Sequence, residues 1–320
     1  MKKKVFTAIG LMSGTSMDGV DLSVIKSDGI NEFIGILDNY CEFNEKLKEK
    51  LIKLRSKINH LDDLNKYVLE LDDLEREITL FHGEIINDIS QNLDEDIDLI
   101  GFHGQTIFHN SEQKISRQLG DGNLLSQITK KKVVNNFRIN DLSNQGQGAP
   151  LTPIFHKLIS RLISSKYEIN YPVNIINIGG ITNITSILDD KDVISNNLYA
   201  SDIGPGNCMI DEWIRKNSKK KYDKDGLIAK SGTIDELVLN QALENFEENS
   251  NYKKSLDVKD FDIFFAKGLS LENGAATITN FTATLISNGM KYSHKMDKPI
   301  MNNWLVCGGG RKNKYLLESI

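Results

Sequence analysis

The sequence predicts an α/β protein of two duplicated domains around a cleft, and three features carry that expectation. Short apolar runs of strand length alternate with longer stretches of helical periodicity along the whole chain. Two apolar hairpins open the two halves, Ile9-Gly10-Leu11-Met12-Ser13-Gly14-Thr15-Ser16 and Ile176-Asn177-Ile178-Gly179-Gly180-Ile181-Thr182-Asn183, and they resemble one another. Finally, 320 residues exceed what one hydrophobic core usually organises. We place the domains at 1–140 and 141–320.

Residues 5–12 read as a buried strand, 20–26 as its hairpin partner and 32–43 as a third strand. Helical stretches follow at 45–57 and 61–92, the second with Leu64, Val68, Leu71 and Leu74 spaced as one face. Residues 97–103 form a short apolar strand ending in polar residues, 124–130 a helix and 133–134 the next strand. Gln145-Gly146-Gln147-Gly148-Ala149-Pro150 reads as a flexible polar segment. A helix at 151–164 opens the second half, before hairpin strands at 173–179 and 181–188. The stretch from Cys208 starts an amphipathic helix, and Trp304-Leu305-Val306 is a last apolar strand.

Composition narrows the function classes. Hydrophobic residues at 39% and charged residues at 26% describe an ordinary globular chain. A net charge of −5 offers nucleic acid no favourable field, and the short runs Lys130-Lys131-Lys132 and Lys219-Lys220-Lys221 read as solvated surface. Mean hydropathy is −0.33, and no apolar stretch approaches the roughly 20 residues that span a bilayer. The basic start Met1-Lys2-Lys3-Lys4 precedes an apolar run too short for a signal peptide. Three scattered cysteines suggest neither a disulfide framework nor a zinc site, so a reducing cytoplasm is expected. The six histidines lack paired metal-ligand spacing, which disfavours a metal hydrolase.

Five motifs carry candidate chemistry. Gly14-Thr15-Ser16-Met17-Asp18-Gly19-Val20-Asp21 offers glycines, backbone N–H groups and hydroxyls that suit phosphates without a Walker A loop; a plain hairpin turn explains it equally well. Asp202-Ile203-Gly204-Pro205-Gly206-Asn207 precedes a helix, so Gly204, Gly206 and Asn207 are expected to aim free N–H groups at a phosphate. Asp202, at the strand end, is expected to accept a proton there, its alternative role being to cap the turn. Gly308, Gly309 and Gly310 strip side chains from a strand–helix junction where a ring or ribose fits, or they cap a helix. Gly101-Phe102-His103-Gly104-Gln105-Thr106 puts His103 and Gln105 at a strand tip as polar sugar contacts, though a lone histidine is often structural. Arg138, in Asn136-Phe137-Arg138-Ile139-Asn140-Asp141, suits a bidentate clamp on a carboxylate, with a surface salt bridge as the alternative.

Three glycine turns at the start, middle and end of the chain resemble the actin–hexokinase–Hsp70 type of ATPase: two duplicated actin-like, ribonuclease H-like domains with a nucleotide cleft between them. More closely, the sequence resembles the anhydro-N-acetylmuramic acid kinase family. The resemblance runs through Gly10-Leu11-Met12-Ser13-Gly14-Thr15-Ser16-Met17-Asp18-Gly19-Val20-Asp21 and the stretches 101–106, 146–150, 177–183, 202–207 and 274–277. It includes Lys254-Ser255-Leu256-Asp257 and Cys307-Gly308-Gly309-Gly310. It implies a cytoplasmic kinase of peptidoglycan recycling that uses ATP and Mg²⁺ to convert 1,6-anhydro-N-acetylmuramic acid to N-acetylmuramic acid 6-phosphate. Asp202 would then be the base that activates water, residues 14–21 the β/γ-phosphate turn, and Gly308 to Gly310 the adenosine contact. Whether Asp18, Asp21 or Asp202 approaches the magnesium is left open, as is a homodimer. Two departures stand out. Val258-Lys259 follows Lys-Ser-Leu-Asp where the family commonly carries an arginine. The chain also ends at Ile320, where relatives continue for a few dozen residues, so the family's last helix is expected to be missing. Another sugar kinase, or a catalytically impaired nucleotide-binding protein, is the alternative reading.

Overall fold

The computed structural model describes residues 4–14, 16–190, 197–249, 255–292 and 303–320. The chain divides into two compact units, Met1–Leu151 and Thr152–Ile320, rather than at residue 140. The reason lies in Asp141, whose backbone carbonyl accepts the Gly146 N–H at 2.9 Å and whose Oδ2 accepts the Gly148 N–H at 2.7 Å. Residues 145–150, expected as a flexible linker, are thereby wrapped around an aspartate of the first unit.

The first unit contains β1 (Phe6–Ser13), β2 (Gly19–Ser27), β3 (Phe33–Glu42), α1 (Glu45–Lys57), α2 (Leu61–Lys66), α3 (Val68–Gln91) and β4 (Leu99–Asn110). It continues with β5 (Ile115–Leu119), α4 (Gly122–Thr129), β6 (Lys132–Val134) and α5 (Phe137–Ser143). Its sheet has the order β3-β2-β1-β4-β5, with β6 also pairing with β4. The β1–β2–β3 meander is antiparallel, whereas β4 lies parallel to β1. Strands β1, β2 and β4 pack Ile9, Leu11, Leu22, Val24, Ile100 and Phe102 against Leu47, Leu51 and Leu54 of α1 and Leu71, Leu74 and Ile78 of α3.

Residues 61–92, read as one helix, break at Tyr67 (φ −109°, ψ 25°). Asp63 helps to start the short α2, its Oδ2 accepting the backbone N–H groups of Asn59 and His60 at 2.9 Å each. The break rotates the buried stripe of α3 to Leu71, Leu74, Ile78, His82, Ile86 and Ile89 and leaves Val68 exposed. Strand β4 also runs past His103 to Asn110, because β5 supplies a second pairing partner for its distal half.

The second unit contains α6 (Pro153–Tyr167), β7 (Val173–Ile178), β8 (Ile181–Ile187), β9 (Leu198–Pro205), α7 (Cys208–Asn217), α8 (Leu227–Ser231), α9 (Glu236–Asn249), α10 (Leu271–Tyr292), β10 (Asn303–Cys307) and α11 (Lys314–Ser319). Its sheet order is β10-β7-β8-β9, with β7–β8–β9 an antiparallel meander and β10 parallel to β7. The connectivity repeats that of β4-β1-β2-β3: three antiparallel strands, a helical crossover, then a strand returning beside the first. The fold is therefore mixed α/β with the expected duplication. Its core joins Ile176, Ile178 and Ile184 to Met209, Trp213, Ile278, Phe281 and Leu285.

His82 is fully buried in α3, its Nδ1 2.7 Å from the Ile78 carbonyl and its ring 4.9 Å from that of Phe102. Burial pushes its pKa down to about 4, against a smaller opposing effect of the Ile78 hydrogen bond. The unfolded imidazole titrates near 6.5, so the unfolded chain binds the extra proton between these values. His82's contribution is complete above pH 6.5 and is lost as pH falls toward 4, by up to about 1.4 kcal/mol per pH unit. We expect the urea midpoint to fall more steeply from pH 7 to 5 in the wild type than in His82→Gln. Parallel curves would contradict a neutral buried imidazole.

Candidate active site

In the first unit β1, β4 and β6 run parallel, so their carboxyl ends share one edge of the sheet, the edge at which open α/β sheets hold ligands. After Ser13 the chain turns at Gly14, whose carbonyl accepts the Met17 N–H at 3.2 Å and the Gln105 side-chain amide at 3.1 Å. Met17 takes a left-handed φ of 55° and buries its side chain in the core. The carbonyl of Asp18 accepts the Phe43 N–H at 2.9 Å, and its carboxylate pairs with Lys48 of α1. Gly19 is required by packing, since a Cβ there would lie 2.4 Å from the Cys41 carbonyl. Val20 belongs to the core, and Asp21 sits on β2 opposite Met12 and Tyr40, its pKa raised by burial. Burial, then the charges of Asp18, Asp21 and Glu42, push the Tyr40 hydroxyl up to about 12. Gly14, Ser16 and Asp18 keep some exposure along the turn; Thr15 lies outside the described residues.

Gln105, expected as a sugar contact, is fully buried and braces the turn through Gly14. His103 and Arg138 do come together, because β6 delivers α5 to the same sheet edge. Arg138 Nε donates to His103 Nε2 at 3.0 Å and its Nη1 to the Gly148 carbonyl at 2.7 Å. His103 Nδ1 stands 2.7 Å from the Gly104 carbonyl, so the neutral tautomer donates from Nδ1 and accepts at Nε2. Burial first, and Arg138 second, push the His103 pKa down to about 4. Arg138 thus differs from the open clamp anticipated: two of its donors tie His103 to the 146–148 loop.

In the second unit β7, β9 and β10 run in one direction, and three glycine segments follow their ends. The Gly204-Pro205-Gly206 segment departs from expectation: Gly204 and Pro205 remain in β9, and only Gly206 and Asn207 form the bend into α7. Its N–H groups are not free. Gly206 and Cys208 donate to the Gly180 carbonyl at 2.8 and 3.3 Å, and Asn207 donates to that of Gly179 at 2.8 Å. A Cβ on Gly206 would fall 2.2 Å from the Gly179 oxygen, so the glycine permits this close approach. The Gly179-Gly180 turn, given no chemical role from the sequence, is the partner that makes the bend.

Gly308 (φ 79°) and Gly310 pack on Ile178: added Cβ atoms would lie 2.5 Å from its carbonyl oxygen and 2.2 Å from its Cγ2, respectively. Gly309 has no such reason, since a Cβ there would meet only the Asn207 side-chain nitrogen, at 3.9 Å. Two glycine segments therefore meet around Asn207, leaving the backbone at Gly309 exposed.

Asp202 lies within β9, opposite Asn183 on β8, and not at the strand's last residue. It is 7% exposed. Its Oδ2 accepts the Ser255 hydroxyl at 3.0 Å and the Leu256 N–H at 2.9 Å. Sequence reasoning assigned Ser255 no role, because nothing local ties it to a residue on β9. Lys254 lies outside the described residues. Among the described residues no group of three or more His, Cys, Asp or Glu side chains is placed to hold a metal ion, and no helix is long and apolar enough to cross a membrane.

A family profile described as anhydro-N-acetylmuramic acid kinase matches residues 6–320. The anhydro-N-acetylmuramic acid kinase of Pelagibacter ubique is 48% identical over 319 residues, covering 99% of this chain and 83% of the relative. That of Agrobacterium fabrum is 35% identical, again over 99% and 83% of the two chains. Among solved structures, a glucokinase from Balamuthia mandrillaris in complex with glucose aligns with a TM-score of 0.37 at 11% identity, covering 99% of this chain and 83% of that one.

The glycines divide into those that close packing requires and Gly309, which has room for a Cβ. Gly308→Ala should lose about 1–3 kcal/mol of stability from its strained φ and carbonyl clash. Gly309→Ala should melt like the wild type yet bind nucleotide about tenfold more weakly, a loss near 1.4 kcal/mol. Unchanged affinity in a calorimetric titration of Gly309→Ala would remove this glycine from the site.

Proposed function

The chain belongs to the anhydro-N-acetylmuramic acid kinase family, and we propose on that premise that it opens and phosphorylates 1,6-anhydro-N-acetylmuramic acid. The reaction consumes ATP and water and yields N-acetylmuramic acid 6-phosphate and ADP. The observation that carries this reading is the Asp202 carboxylate, shielded from solvent and anchored through one oxygen in the unit that also gathers the glycine bends.

Asp202 takes a proton from water as the water oxygen bonds to the anomeric carbon. The bond from that carbon to the bridging oxygen breaks, and the freed 6-oxygen takes the γ-phosphoryl group. Phosphoryl transfer of this kind depends mainly on positioning and charge stabilisation. In the second unit the exposed backbone at Gly309, with Asn207 beside it, suits adenosine contacts; in the first unit Gly14, Ser16 and Asp18 line a turn suited to phosphate, which Gln105 braces through the Gly14 carbonyl. With the amides of Gly206, Asn207 and Cys208 already bonded, the second-unit bend acts through its shape and not as an anion nest. His103 is neutral at pH 7 and Arg138 cationic, which supports a role for this pair beside the lactyl carboxylate.

Mg²⁺ commonly reaches such sites on nucleotide phosphates, keeping several waters and one or two carboxylates. The described residues do not build a dedicated protein cage for it. The free thiols Cys41, Cys208 and Cys307 support a reducing, cytoplasmic setting.

Purified protein with ATP and the anhydro sugar should release ADP and the 6-phosphate, and in ¹⁸O-water the label should enter the hydroxyl at C1. Asp202→Asn should keep its ATP affinity and lose at least about 10³-fold in kcat. Phosphorylation of N-acetylglucosamine but not of the anhydro sugar would defeat the substrate assignment. Full turnover by Asp202→Asn would defeat the role of the base.

A further inference from the structure

We propose that Ser255 is a positioning residue that sets the plane of the Asp202 carboxylate; this rests on the reading of Asp202 as the base. Two donors meet one oxygen: the Ser255 hydroxyl at 3.0 Å and the Leu256 N–H at 2.9 Å, both on Oδ2. Ser255 and Leu256 are more than fifty residues from Asp202 in sequence, so the contact is purely tertiary. A carboxylate bonded at one oxygen by a hydroxyl and an amide cannot turn about Cβ–Cγ without losing both bonds. Hydrogen bonds to charged groups are the stronger ones, and this pair holds Oδ2 on the side of Ser255 and Leu256.

The donors are themselves held. Asp257 Oδ1 accepts the Lys259 N–H at 3.0 Å, and Asp260 Oδ2 accepts the Asp257 N–H at 2.8 Å, which closes a 3₁₀ turn directly after Leu256. The Leu256 side chain packs against the second-unit core. Val258, Lys259 and Asp260 make up this turn. The chain therefore presents Ser255 from a capped turn with an apolar anchor, and its short side chain has one hydroxyl with which to reach β9.

Losing the Ser255 hydroxyl leaves the Leu256 N–H in place, so catalysis should weaken and not vanish. A small misplacement of a catalytic group is known to reduce rate far more than binding. For Ser255→Ala we expect kcat to fall about 10- to 100-fold, the range of one hydrogen bond to a charged group, with KM for ATP and for the sugar within about twofold of wild type. Ser255→Thr, which keeps the hydroxyl, should recover kcat to within about threefold. Ser255→Cys, nearly isosteric but a weak donor, should behave like the alanine variant and serves if alanine fails to fold.

The experiment measures kcat and both KM values for Ser255→Ala, Ser255→Thr and Ser255→Cys beside Asp202→Asn. A low kcat for alanine and cysteine, rescued by threonine at constant KM, supports the proposal. Wild-type kcat in the alanine or cysteine variant, or a raised KM at unchanged kcat, overturns it while Asp202→Asn remains inactive. Wild-type turnover in Asp202→Asn overturns the base assignment itself, and the role of Ser255 with it.

Discussion

The second unit depends on a stitch between two turns: the amides of Gly206, Asn207 and Cys208 bonded to the carbonyls of Gly179 and Gly180. The stitch forms only because residue 206 has no Cβ, which would otherwise lie 2.2 Å from the Gly179 oxygen. It holds the end of β9 against the β7–β8 turn and so sets where α7 begins. Asp202, four positions upstream on the same strand, inherits that placement. Gly308 and Gly310 close on Ile178 from the next strand, and Asn207 ends beside Gly309. One backbone contact thus orders the bend, the helix start and the approach of the third glycine segment.

Duplication explains why comparable chemistry collects at an equivalent edge in each unit. In both sheets a three-stranded antiparallel meander is joined by a helical crossover to a strand parallel to the first. Parallel strands send their carboxyl ends to one side, so the loops after β1, β4 and β6 gather in one unit and those after β7, β9 and β10 in the other. The glycines in these loops have different duties. Gly19, Gly206, Gly308 and Gly310 relieve close approaches within the protein, whereas Gly14 and Gly309 have room.

Electrostatics sort the polar residues in a similar way. His82 and His103 are held neutral chiefly by burial, and His103 then serves as an acceptor for Arg138. Burial, and after it the charges of Asp18, Asp21 and Glu42, raise the Tyr40 pKa, and Lys48 pairs with the Asp18 carboxylate. In the second unit the Asp202 carboxylate accepts hydrogen bonds from the neutral donors of Ser255 and Leu256.

Much of this was legible in the residues. Apolar periodicity located the strands of both hairpins and helices α1, α4 and α7 to within a few positions, because burial on one face repeats at short range. The glycine motifs marked three of the loops that matter. Periodicity could not reveal the break at Tyr67, which depends on capping by Asp63, or the extension of β4, which depends on β5 as a partner. Nor could it tell an N–H group facing a ligand from one bonded to Gly179 or Gly180. The sequence by itself determined the α/β class, the duplication, the glycine turns and a carboxylate at residue 202. Tertiary structure alone decided that Gln105 braces a turn, that Arg138 ties His103 to Gly148, and that Ser255 holds Asp202. Each of those hydrogen bonds joins residues that only the sheet pairing and loop closure bring within 3.1 Å.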